Sequence, residues 1–137
     1  TGGLLTVCSR GRPLEFHVTE PIHPSRAEQI LFGASLRPYL CGERIGAALL
    51  AKAQTPIATL VAGDAHAAIA GRVAGLRTVV ADSIVDGALT DPALARLAEW
   101  IDPSEPLARV ADAIREAQRL GVGGAGDADA GVTDVAA

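Results

Sequence analysis

Methionine is absent from this chain of 137 residues, and cysteine, lysine and aromatic residues are scarce. Two cysteines, Cys8 and Cys41, cannot build a disulfide scaffold; in a reducing compartment they are expected to be buried thiols rather than a bridge. Lys52 is the single lysine, and the arginines are spread along the chain. The basic stripe or patch that nucleic-acid binding requires is missing, so nucleic acid is not an expected partner. Four aromatics, Phe16, Phe32, Tyr39 and Trp100, offer no stacking platform for single strands and leave the core to Leu, Ile, Val and Ala. No apolar run approaches the roughly 20 residues of a membrane span, and no basic-then-apolar leader resembles a signal peptide. The expectation is a cytoplasmic protein with no membrane partner. The missing Met points to a processed or trimmed start, with Thr1 small enough to follow a removed initiator. An N-terminal Thr can also be a nucleophile that uses its own amine as base.

What is present describes one domain. At 13.9 kDa, 49% apolar and mean hydropathy +0.28, the chain is too apolar to be disordered throughout. A chain of this length should bury roughly 70% of its unfolded surface. Charge is uneven: residues 1–80 carry a net +3 and residues 81–137 a net −7, the latter read as a solvated face.

Periodicity and punctuation predict an α/β fold. Leu4-Leu5-Thr6-Val7-Cys8 and the alternating Leu14-Glu15-Phe16-His17-Val18-Thr19-Glu20, joined by a turn over Ser9-Arg10-Gly11-Arg12-Pro13, form a hairpin. Leu14, Phe16 and Val18 are expected to face the core. Ser25 and Glu28 form a capping box for a short helix that ends at Gly33, with Ala27, Ile30 and Leu31 as its apolar stripe. A second helix is expected over 38–53, where Gly42 and Gly46 on one face would let the backbone approach a sheet. The apolar run 57–62 reads as a strand covered on both faces. With a helix over about 65–74 and a strand over 76–81 it makes a βαβ unit, so the sheet is mixed. Asp91-Pro92 and Ser104 open two amphipathic helices, the last ending at Gly121. The domain is expected to span 1–121, and the Gly-, Ala- and Asp-rich residues 122–137 to be a flexible tail.

The stretch Leu40-Cys41-Gly42-Glu43-Arg44, leading through an Ala-rich helix to the strand at 57–62, resembles the first half of the zinc site of the cytidine deaminases. The resemblance covers residues 3 to about 82. It implies Cys41 as a zinc ligand and Glu43 as the carboxylate that shuttles a proton from water to the leaving amine. The second half of the motif, Pro-Cys-x-x-Cys, is missing. Gly63-Asp64-Ala65-His66 stands in its place, so a metal site here would be a nonstandard one of Cys41, Asp64 and His66. The alternative reading makes Cys41 a small buried helix residue, Glu43 a solvated charge and Asp64 the cap of the next helix.

A second polar group lies on the hairpin. Glu15 and His17 share a strand face, and Glu20 and His23 follow in a Pro-rich loop, so carboxylates and imidazoles could converge there. His17 is the candidate acid–base group, because imidazole is the side chain that ordinarily titrates near neutrality. Were a ligand site present, its place would be where this loop meets Gly63-Asp64, beyond the C-terminal ends of the strands. No phosphate-binding glycine loop and no nucleophile elbow is found. The sequence therefore favours an interaction or regulatory module, a subunit of a homo-oligomer or larger assembly, needing no cofactor and acting on a protein partner or itself. The alternative is a metal-assisted hydrolytic enzyme centred on Glu43, Cys41 and His66, with zinc as cofactor.

Overall fold

Strand β1 (Gly2–Val7) is buried along its whole length and turns back into β2 (Pro13–Val18). The reversal is closed by Cys8 N–H donating to the Arg12 carbonyl (2.9 Å) and Gly11 N–H to the Cys8 carbonyl (2.9 Å). Gly11 has φ +80°, and a Cβ there would strike Ile101, so only glycine fits. The register pairs Thr6 with Glu15 and Val7 with Pro13, which leaves Leu14 as the extra residue of a β-bulge. The computed structural model describes residues 1–85, 90–121 and 130–135.

Residues 59–80 form the βαβ unit that the sequence predicts. Strand β3 (Thr59–Ala62) leads through α4 (Ala65–Val73), capped by Asp64, to the parallel strand β4 (Thr78–Val80). The hairpin and this unit do not touch as strands. Between them lies β5 (Ala130–Val135), parallel to β1 and antiparallel to β3, giving the order β2-β1-β5-β3-β4. This corrects the expectation of a tail from 122 onward: residues 130–135 form the central strand, while 122–129 and 136–137 lie outside the described residues. Their composition gave no sign of it, because Ala, Gly, Thr and Asp lack the apolar weight of an ordinary central strand.

Helices cover both faces. On one, α2 (Leu36–Pro38), a π-helical segment (Tyr39–Gly46) and α3 (Ala47–Lys52) run on continuously and, with α4, bury Leu4, Leu49, Leu60 and Ala62. On the other, α5 (Ala81–Val85), α6 (Pro92–Ala98) and α7 (Glu105–Arg119) bury Leu5, Val7, Val61, Leu94, Leu97 and Ile114. Each fully buried Leu or Ile contributes about 2 kcal/mol of transfer free energy. Leu60 and Val61 enter opposite clusters, as an unbroken apolar strand covered on both sides requires.

Three packing expectations are corrected. Gly42 and Gly46 face α4, not the sheet: a Cβ on Gly42 would lie 2.7 Å from Ile69 Cβ and 2.9 Å from the His66 carbonyl, and one on Gly46 would collide with Ala70. Leu14 (51% exposed) and Phe16 (38%) do not enter the core, because β2 is an edge strand; only Val18 of that trio packs against it. Helix α1 (Arg26–Phe32) has the Ser25–Glu28 capping box, yet buries no residue, and Ile30 and Leu31 are exposed. Among the described residues no helix is long and apolar enough to cross a membrane.

Candidate functional site

The register places the C-terminal ends of β2, β3 and β4 at the same edge of the sheet as the first residues of β1. A cavity of about 350 Å³ opens there, lined by Thr1, Ile22, Leu36, Arg37, Leu40, Cys41 and Ile45 together with Gly33 and Ala34. Its position agrees with the expected crevice as far as the Pro-rich loop is concerned, through Ile22. Asp64 does not line it. The Thr1 hydroxyl is buried without a hydrogen-bond partner. No carboxylate or imidazole stands among the lining residues.

The nominated residues are distributed as follows. Cys41 is a buried thiol outside any disulfide and lines this cavity; Cys8, also outside any disulfide, is half-buried in the hairpin turn. The Cys8 thiol lies below its usual pKa, chiefly because the Arg10 backbone N–H stabilises the thiolate. Glu43, two positions after Cys41, emerges on the opposite side of the π-helical segment, where it is exposed beside Leu50, Val73 and Ala74. Asp64 caps α4, accepting from the Ala67 backbone N–H at 2.8 Å. His66 is half-buried in the first turn of that helix. Among the described residues no three His, Cys, Asp or Glu side chains are grouped to hold a metal ion, so Cys41, Asp64 and His66 are not assembled as a ligand set.

Glu15 and His17 do meet, at 2.9 Å. Glu15 also accepts from the backbone N–H of Thr55 (2.8 Å) and of Gln54 (3.1 Å). These donors, Thr55 first and the His17 ring second, hold its pKa down from 4.5 to about 2. A carboxylate so held is ionised at neutral pH and its lone pairs are occupied. It anchors the chain after α3 to β2 and cannot serve as a general acid.

A second carboxylate anchor escaped the sequence reading. Asp91, read only as a cap, is buried and accepts from Leu94 N–H (3.0 Å), Thr59 Oγ1–H (2.9 Å) and Arg77 Nη1 (3.0 Å). Burial opposes its ionisation, but these donors outweigh burial, and its pKa stays below the ordinary carboxylate value. Thr59 begins β3 and Arg77 immediately precedes β4, so Asp91 ties α6 to the start of the parallel pair. Both anchors thus sit at the sheet edge opposite the cavity. The Asp-Pro dipeptide was the only local signal, and nothing near it in sequence points to Thr59.

The remaining conspicuous feature is the outer border of β2. The ladder bond from Thr19 N–H to the Gly2 carbonyl (2.9 Å) fixes the alternation, so Glu15 and His17 turn their backbone groups toward β1. The backbone groups of Phe16 and Val18 point away from the sheet, beside the exposed side chains of Leu14 and Phe16. Comparison with models of known families, with curated proteins and with solved structures yields no match.

Proposed function

We propose that this chain acts by binding, as an interaction or regulatory module that assembles with itself or with another protein. The observation that carries this reading is the unprotected edge strand β2, which combines outward backbone donors and acceptors with exposed Leu14 and Phe16. Such an edge is a template for another chain. The polar residues nominated for chemistry support the same reading. Glu15 and Asp64 are taken up in holding backbone, Glu43 stands alone on the surface, and the cavity lining holds no carboxylate or imidazole.

Light scattering coupled to size exclusion tests this, run from low micromolar to millimolar protein, with affinity capture from lysate as its complement. A mass that rises with concentration, or one stoichiometric partner recovered with a folded bait and lost with a Leu14/Phe16 double serine variant, is the expected result. A strict monomer that captures nothing would remove the reading. Stoichiometric zinc in untagged protein that is lost in Cys41→Ala would replace it with the metal-assisted one.

A further inference from the structure

We infer that β2 pairs with β2 of a second copy of this chain, antiparallel about a twofold axis through Phe16, joining two five-stranded sheets into one. The inference rests on the binding reading above and names its partner.

The strand is complementary to itself in that register. With Phe16 opposite Phe16 of the partner copy, Glu15 lies opposite His17 and Leu14 opposite Val18, so no like charges face each other and apolar meets apolar. A twofold axis perpendicular to the sheet keeps each face on its own side, and the two Phe16 rings, each 38% exposed alone, cover one another. Phe16 turns its N–H and C=O outward, so the central pair can exchange both backbone bonds. Pro13 precedes Leu14, and Pro21 and Pro24 follow the strand, which confines pairing to a few residues and pins the register. No Lys or Arg lies on 14–18 to deter a second strand.

The contact is short, so dissociation in the micromolar range is expected. Sedimentation velocity on the whole chain, over a concentration series, tests it with three variants. Phe16→Pro removes an N–H that faces outward and leaves the bonds to β1 in place. Phe16→Asp sets two carboxylates face to face on the axis. Leu31→Asp alters α1 instead. The expected result is a wild-type dimer whose dissociation constant rises at least tenfold in both Phe16 variants and is unchanged by Leu31→Asp, with circular dichroism as the folding control. If Phe16→Pro does not fold, Phe16→Asp decides. A dimer indifferent to Phe16 and broken by Leu31→Asp would overturn the β2 pairing while keeping the binding reading. A wild-type monomer at every concentration would overturn the pairing outright and leave the binding reading to the capture experiment.

Discussion

The two borders of the sheet are finished in different ways. At one, β4 is three residues long, half-buried, and passes directly into α5, with α6 fastened beside it by buried Asp91. At the other, β2 is six residues long, carries exposed Leu14 and Phe16, and is fastened by Glu15 on one face only. Each border uses a carboxylate to hold backbone, yet only one is closed to a further strand. Stability and surface exposure are thus divided between the two sides, with β5, among the described residues, as the strand link between them.

That link is where the largest effect is expected. Removing 130–137 would strip six paired positions from β1 and four from β3, leaving buried backbone groups without partners. The truncated chain should lose cooperative unfolding altogether, read by urea titration with circular dichroism, and a native-like melt would break the comparison. Next is Asp91→Ala, which strands the Thr59 hydroxyl and the Leu94 N–H in a buried site and should cost about 3 kcal/mol in chemical denaturation. Gly71→Ala follows. Its Cβ would collide with Thr78 Oγ1 and lie 2.5 Å from Leu60 Cδ2, so α4 must lift from the parallel pair at roughly 1–3 kcal/mol. The smallest effect belongs to the open border. Because the pKa of Glu15 is lower folded than unfolded, its stabilisation is complete above about pH 4.5 and fades as pH falls toward about 2. Glu15→Gln should therefore lower stability at neutral pH and flatten the acid limb of the melting curve in that window. An acid limb of unchanged slope would remove the anchor role.

What the sequence made legible was local. Ser25 with Glu28, Asp64 and Asp91 were all readable as caps because the groups they satisfy lie within three residues. The alternation on β2 was legible as well, but not its consequence: period two says which residues share a face, and only the reach of the neighbouring helices decides whether that face is covered. Glu15 looked like a chemical residue because its backbone partners, Gln54 and Thr55, lie 39 and 40 positions away. Strand β5 was invisible for a related reason. Ala-Gly-Val-Thr-Asp-Val has little apolar weight of its own, and its place depends on two strands more than 65 residues upstream. The pairing of Cys41 with Glu43 drew on a two-residue spacing that the helical segment turns to opposite sides.

Amide hydrogen exchange on the wild-type chain at low and at high concentration tests the central claim most directly. Phe16 and Val18 should exchange quickly when dilute and become protected when concentrated, while Leu94, held by Asp91, stays protected at both. Phe16 and Val18 amides that exchange at one rate across the whole range would contradict it, leaving β2 an edge that no second copy occupies.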